Sequence, residues 1–575
     1  MYLYSVLDRA ARKRQALGEC ASRGRCGSVT LEQQHRHLHA SRGGGGEEEE
    51  VVVVGGGWWR CSRSPAMSLA VTVLCLLLVF GGLQYLLGLR RRRKGEPPLV
   101  HSWIPFFGRV VEYSKCPPKF LLRLQKKHGD VFTVLIHGKY FTFLMDPHMF
   151  PSIIRHGKQL NFHEFSSKFS CINFDHPHVD DPLLGVCNDD LLRQYTFLQG
   201  AELTNVTNIV MAKLQQVVFH ELNEAVVGRT GGDVHGWRTD SLFSFCQRLI
   251  FEVTFVMLYG TSGDAEADRR LCKRLQAHFE PFDKVLPLIS AGVPLWLLGS
   301  AKHHRDELKR ELTHDKLSRR RNISIIVQSR MSVWDANKNM QDTHKAGHHL
   351  AFLWGSIANT VPAIFWSLYH LLQCPLAQRA LRDEVDATVG KSGAPLKLGS
   401  PLCRSREDLN AMLMLGSAVN ESLRLTSAPM NIRVALEDVA ITMDSGFTLK
   451  LRKGDKISFS LQTLHTDPDI YEQPETYKYD RFMEGGKPRK TFYKDGRPLR
   501  HALMPFGFGA TKCPGRFFAL LVDKVFLALL LSHVEMELCP GQVPVEADVS
   551  RGPFGVLPPK DDVQFRYRLR PGLAE

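Results

Sequence analysis

One short run constrains this chain more than any other: Phe506-Gly507-Phe508-Gly509-Ala510-Thr511-Lys512-Cys513-Pro514-Gly515. Its pattern is F-x-x-G-x-x-x-C-x-G, and Ala519 lies six residues past the cysteine. Two glycines and a proline impose a tight loop, and the apolar run Phe517–Leu531 behind it reads as a helix. A cysteine just ahead of a helix N-terminus feels the positive end of the dipole and has unpaired N–H groups nearby. Both lower its thiolate pKa and suit the sulfur to a metal. The plain alternative is a structural cysteine buried in a glycine-rich turn, and the rest of the chain has to decide between them.

Two further motifs precede the loop. Glu421-Ser422-Leu423-Arg424 places a carboxylate and a guanidinium three apart, on one face of an expected helix. Alone, it reads equally well as a solvated surface pair. Downstream comes Pro474-Glu475-Thr476-Tyr477-Lys478-Tyr479-Asp480-Arg481-Phe482. If Arg481 reaches the same carboxylate, the three charges form a buried network, which survives only when every member is satisfied.

The apolar stretch Leu350–Leu372 is long enough to cross a membrane. It also holds Ser356, Asn359, Thr360 and Pro362, and no basic cluster flanks its end, so a buried core helix is expected. Thr360 is expected to bond a carbonyl one turn back and open a local kink. His128–Ile136 reads as turn then strand, and Tyr140–Met145 as its hairpin partner across His137-Gly138-Lys139. Asn205–Thr313 has mostly helical period, while Val439–Leu451 and Asp455–Phe459 read as short strands. The fold class expected is mainly α with small β-sheets (α+β).

The N-terminus divides differently. Residues 1–66 contain the blocks Gly43–Gly46, Glu47–Glu50, Val51–Val54 and Gly55–Gly57, with no period and no core. This segment is expected to be disordered and, with Met67 as the usual start, a possible spurious extension. Residues 67–89 carry no charge and end in Arg90-Arg91-Arg92-Arg93-Lys94. A cleaved signal peptide needs a shorter core and a small-residue cleavage site, so a transmembrane signal anchor is expected, its basic flank facing the cytosol. A basic, proline-rich hinge at 90–100 leads into a catalytic domain at 101–575.

With 44% hydrophobic and 23% charged residues, the chain is globular rather than disordered. Its 13 cysteines show no CxxC spacing, which points to a reduced, cytosol-facing domain and not to a disulfide scaffold. The net charge of +15 suits an anionic membrane or an acidic protein partner. No zinc finger or aromatic-basic motif supports nucleic acid.

E-x-x-R, then P-E-x-[FY]-x-x-x-R-F, then F-x-x-G-x-x-x-C-x-G is an order that resembles the cytochrome P-450 superfamily, over about Gly95–Glu575. The resemblance implies the P-450 fold. Cys513 becomes the axial thiolate of haem b, with Phe506, Gly509 and Arg433 in the cofactor site. Glu421, Arg424 and Arg481 become a structural network, and Asn359 and Thr360 the residues above the iron. It also implies O2 as co-substrate, with electrons from NADPH delivered by NADPH–cytochrome P-450 reductase. Lys512, Arg516 and Lys524 would form the basic outward face that meets it.

Ser356-Ile357-Ala358-Asn359-Thr360 stands where the superfamily usually has A-G-x-[DE]-T. Asn359 cannot donate a proton as an acid does, which leaves Thr360 and water for that step. Thr511 replaces a common arginine, and no W-x-x-x-R is evident near Leu192–Gly200. Asn-Thr followed by Pro362, Gly-Glu-Pro-Pro-Leu after the anchor and the Ala-Thr-x-Cys-Pro-Gly-Arg loop resemble the branch holding sterol 7α- and 12α-hydroxylases and prostacyclin synthase.

Thr360 favours hydroxylation over the isomerase type. Leu124–Asp130, Lys158–Leu160, Phe197–Gly200, His348–Trp354 and Cys513–Leu520 are most similar to the oxysterol 7α-hydroxylase subfamily, family 7 subfamily B, while Ser427–Arg433 leans to the cholesterol 7α-hydroxylases. That placement implies a sterol substrate over a pocket lined by Leu353, Ser356, Ala428, Met430, Asn431, Phe554 and Val556. It also implies an endoplasmic reticulum membrane location, single-pass, with the catalytic domain in the cytosol.

Overall fold

In a computed structural model, the described residues are 65–88, 90–102, 104, 107–178, 188–200, 202–227, 236–336, 339–390, 405–428, 430–552 and 555–571. Phe554 and nearly all of the 1–66 segment lie outside them, as does the side chain of Met430. The chain forms two compact units, Met1–Arg91 and Arg92–Glu575. In the first, Pro65–Gly88 is one helix without a charged residue, and Leu76, Leu77, Leu78, Val79 and Phe80 stand exposed along it.

The second unit is helix-rich with small sheets. Val131–Ile136 and Lys139–Leu144 pair antiparallel. Their two-residue turn is His137-Gly138, both at positive φ, the conformation that matches the twist of the flanking strands. Lys139–Leu144 then pairs in parallel with Lys456–Ser460, and Met430–Ala435 and Leu160–Asn161 complete five strands. Arg238–Ser241, Val534–Leu538 and Gln564–Leu569 make a three-stranded sheet. The stretch expected as a strand over Val439–Leu451 is a hairpin, Val439–Thr442 against Thr448–Leu451.

The hinge is bound to the domain rather than free. Glu96 is buried and takes both Arg452 Nε and Nη2, at 2.5 and 2.9 Å. Its Oε2 also accepts the Arg93 amide at 2.9 Å.

Leu242–Tyr259 and the Asp342–Gln373 stretch are each long and apolar enough to cross a membrane, yet both are largely buried inside the unit. The second is therefore a core helix, as expected, but it is not continuous. It breaks into Asp342–Ile357 and Thr360–Gln373, with Ala358 and Asn359 between. Pro362 lacks the N–H that would reach the Ala358 carbonyl, and proline is best tolerated in a first turn. The break puts it there. Arg516–His533 packs beside this broken helix, almost wholly buried, and carries the cysteine loop at its N-terminal end.

Candidate active site

The loop ahead of Arg516–His533 is shaped by residues that have to be glycine. Gly507 has φ +72, and a Cβ there would come within 2.8 Å of Asn431 Oδ1. Gly509 has φ +64, and its Cβ would meet Ile154 at 3.1 Å. A short 3-10 turn, Gly509–Thr511, follows. The Cys513 amide then donates back to the Phe506 carbonyl at 2.9 Å, closing the loop so that the cysteine itself stays exposed.

The expectation of a lowered thiol pKa is corrected. Although Cys513 keeps exposed surface, the atoms crowded around the rest of it desolvate the thiol and push its pKa up, against the pull of the Gly515 and Arg516 amides and the charge of Arg516. A free thiolate is disfavoured there until a cation compensates it.

Glu421, Arg424 and Arg481 are brought together. Glu421 and Arg424 have no exposed side-chain surface, and Arg424 grips both carboxylate oxygens at 2.7 and 2.8 Å. Arg481 Nε reaches Glu421 Oε1 at 2.8 Å. The spare N–H groups of Arg424 go to the carbonyls of His465 and Pro474. Those of Arg481 go to Glu472, Gln473 and Thr476. Every charge is satisfied, as a buried network requires. The surface-pair reading is excluded.

Arg433 is 7% exposed, so it is no strand-surface charge. It bonds the carbonyls of Ile432 and Phe508 and the hydroxyl of Thr511, the residue standing where arginine is common. Among the described residues no carboxylate pairs with it, and burial pushes its pKa down to about 10. A buried guanidinium without an anion is costly unless one arrives from elsewhere. A haem propionate would be that anion, and the exposed Cys513 sulfur would be the axial ligand. Asn431 Nδ2, also buried and without a partner among the described residues, lies against the same loop at Gly507. These residues fit haem. Near Leu192–Gly200, Arg193 faces solvent and lies 3.7 Å from Asp190.

At the helix break, Thr360 is buried but makes none of the expected bond to the preceding turn. Ser356 does so instead, donating to the Phe352 carbonyl at 2.9 Å. Asn359 occupies an N-cap position without capping. Its Oδ1 accepts the Val556 amide at 3.0 Å, and a Cβ on Gly555 would fall 2.3 Å from that oxygen. The C-terminal segment is further held by Ala428 N–H to Gly555 O at 2.9 Å and Trp366 Nε1 to Leu557 O at 2.6 Å.

Of the expected pocket residues, Ser356, Ala428, Asn431 and Val556 keep accessible surface. Leu353 does not. At 0% exposure it packs among the buried core residues. Lys512 is exposed and Arg516 half-buried, but Lys524 turns inward to the Leu409 carbonyl at 2.5 Å and leaves the outward basic face. Sequence reasoning missed Gly555, because its φ of +111 and its approach to Asn359 exist only in the fold. It also missed Asp283, which accepts from both Trp354 and Arg551.

An exposed cysteine just ahead of a buried helix, a satisfied Glu-Arg-Arg network and a buried arginine with no anion among the described residues are together what a haem-thiolate protein requires. The cytochrome P450 family model matches residues 97–565, and the chain belongs to that family of monooxygenases, which carry haem and use O2 with reductase-supplied electrons. It is 35% identical over 488 residues to Cytochrome P450 7B1 of Mus musculus, covering 84% of this chain and 93% of the relative. It is 37% identical over 490 residues to Cytochrome P450 7A1 of Oryctolagus cuniculus, covering 84% and 96%. Among solved structures, "Retinoic acid bound cyanobacterial CYP120A1" shares the fold at a TM-score of 0.61 and 20% identity, covering 83% of this chain and all of that one.

Proposed function

We propose that the chain is a membrane-anchored sterol 7α-hydroxylase acting on oxysterols and related 3β-hydroxysteroids, such as 25- and 27-hydroxycholesterol and dehydroepiandrosterone, in sterol metabolism and bile acid synthesis. The observation that carries the reading is the pairing of family membership with Asn359-Thr360 at the helix break. Thr360 presents a hydroxyl not spent on its own helix. Haem, when held by Cys513, supplies the oxygen activation that thiolate electron donation promotes.

Arg433 would neutralise a haem propionate, and Gly507 and Gly509 let the loop close around Cys513. Asn359 is committed to Val556, so proton supply falls to Thr360 Oγ1 and water. Ala428, Asn431 and Val556 orient the sterol, with few polar atoms in an apolar setting, as small-molecule pockets require.

The anchor reading rests on the uncharged helix Pro65–Gly88 followed by Arg90–Lys94, a positive flank that favours the cytosolic side. Trp296 and Leu297, 77% and 57% exposed, suit a domain lying against lipid. Endoplasmic reticulum localisation and electrons from NADPH–cytochrome P-450 reductase complete the reading, and the exposed Lys512 suits an acidic partner.

Identity alone does not separate the two 7α-hydroxylase types, since the 7A1 relative is slightly more identical than the 7B1 relative. Cholesterol 7α-hydroxylation is therefore the second reading. The test is purified enzyme with reductase and NADPH, offered 25-hydroxycholesterol, 27-hydroxycholesterol, cholesterol and dehydroepiandrosterone. Conversion of the side-chain oxysterols to 7α-hydroxy products is expected. Conversion of cholesterol alone selects the second reading, 12α products select a 12α-hydroxylase, and turnover without NADPH selects an isomerase.

A further inference from the structure

Two consecutive helices that pack together carry histidines where they meet. Ala265–Ser290 contributes His278, and Ala301–Glu311 contributes His303 and His304. The connection between them holds the short turn Leu295–Leu297. His278 Nδ1 and His304 Nδ1 stand 3.0 Å apart. Both side chains are half-buried, and the neighbouring His303 is exposed. The ring centroids of the three lie 5.3, 5.6 and 5.7 Å from one another.

Two nitrogens at that spacing hold at most one hydrogen between them, so at least one of them presents a lone pair. Ser300 Oγ lies 3.0 Å from His304 Nε2. With the His304 proton on Nε2 and donated to Ser300, Nδ1 carries the lone pair, and the His278 Nδ1–H points at it. Metal-binding histidines are held in this way, with the second ring N–H given to a fixed acceptor. The spacing also suits an ion. Two nitrogens bound at about 2.0–2.1 Å lie roughly 3.3 Å apart in a tetrahedral site, and roughly 2.8 Å apart at the right angle of a square-planar one. The observed 3.0 Å falls between these values.

We propose that His278 and His304 form a binding site for a late first-row divalent cation, Zn2+, Cu2+ or Ni2+, that bridges the two helices. Among the described residues no three ligating groups converge on one point. The protein therefore supplies two imidazoles, and water completes the coordination. His303 is not a ligand, because its Nδ1 is turned to Glu307 Oε1, 3.8 Å away. On binding, His278 moves its proton from Nδ1 to Nε2, and His304 keeps its own, so both rings stay neutral. Imidazole suits all three ions, with Cu2+ expected to bind tightest. The bound ion ties together the two arms of the connection that carries the exposed Trp296 and Leu297. None of the residues placed at the haem or the sterol takes part, so the site stands independently of the functional reading.

The test is calorimetric titration of Zn2+ into tag-free, full-length holoenzyme that has been treated with chelator. A single saturable step is expected, with slower amide exchange across residues 278–304 in the zinc-bound protein. H278A and H304A should each abolish the step, S300A should weaken it about tenfold through loss of the outer acceptor, and H303A should bind as wild type. Cu2+ electron paramagnetic resonance should show coupling to two nitrogens in wild type and to one in H278A or H304A. Each substituted side chain keeps solvent access, and a retained thiolate-type carbonyl spectrum verifies the fold of each variant. No saturable binding in wild type, or binding that survives both H278A and H304A and is therefore adventitious, overturns the site. Loss in H303A alone overturns the choice of ligands.

Discussion

Asn359 Oδ1 accepts the Val556 amide at 3.0 Å, locking the break in the central helix to the C-terminal segment. Asparagine is a favoured N-cap residue, yet here its side chain is diverted from the Thr360–Gln373 helix to a neighbour nearly two hundred residues on. In the proposed reading, Asn359 shapes the pocket wall instead of relaying protons. N359L leaves the Val556 N–H without its acceptor, at a cost of about 1–3 kcal/mol, and is expected to scatter hydroxylation among several sterol positions. N359D keeps an acceptor and should keep the 7α product. Product analysis by mass spectrometry reads both, and equal product profiles for N359L and wild type would remove this role.

Glu421 is the shared acceptor of two buried arginines. E421A strands both, and breaking a buried pair in this way costs roughly 3–5 kcal/mol. The expected outcome is a thermal midpoint far below wild type and little holoenzyme. E421Q, which keeps oxygen acceptors, should fall between. An E421A protein that melts with the wild type would contradict a stabilising network.

Arg433 has hydrogen-bond partners but no anion among the described residues. R433L is expected to fold, since it removes a desolvated charge, yet to lose haem to apomyoglobin at least about tenfold faster through loss of a charge-assisted contact. Unchanged haem loss would place the propionate contact elsewhere.

Asp523 sits fully buried on the cysteine helix, and its Oδ2 accepts the Ser367 hydroxyl at 2.9 Å. Desolvation pushes its carboxyl up to about 7, against the pull of that bond. The folded pKa lies above the unfolded value, so the stability from this group is complete at low pH and declines as pH rises through about 7. D523N carries no charge and still accepts from Ser367. Its advantage over wild type should therefore grow between pH about 4 and 7 and level off above, reaching on the order of 4 kcal/mol. Denaturant melts across that range measure it, and a pH-independent difference would refute the raised pKa.

Asn205-Val206-Thr207 and Asn322-Ile323-Ser324 have the glycosylation pattern, and both asparagines are exposed. A cytosolic catalytic domain leaves them bare. Endoglycosidase treatment of the protein from mammalian microsomes should not shift its mobility, and a shift would place the domain in the lumen.

The cysteine loop and the Glu421-Arg424-Arg481 set were legible because each is a short pattern whose residues have few alternative uses. The helical character of the core was legible from long apolar stretches. What the sequence hid depends on contacts between distant segments. Thr360 and Ser356 are both mid-stretch hydroxyls, and only the position of the break decides which one bonds the helix. Leu353 reads as a pocket residue by neighbourhood, but the helix turns it into the core. Lys524 lies one helical rise from outward positions yet folds back to Leu409. The raised Cys513 thiol shows the same limit, because dipole and amides are local features while desolvation comes from the packed surroundings.

The most direct test of the account is the reduced carbonyl spectrum of the purified holoenzyme, read beside C513S and C513H. Wild type should show the long-wavelength Soret band of a thiolate trans to carbon monoxide, and both variants should lose it even where haem is retained. A short-wavelength band in freshly prepared wild-type protein, or the same spectrum in wild type and C513S, would contradict haem-thiolate ligation at Cys513.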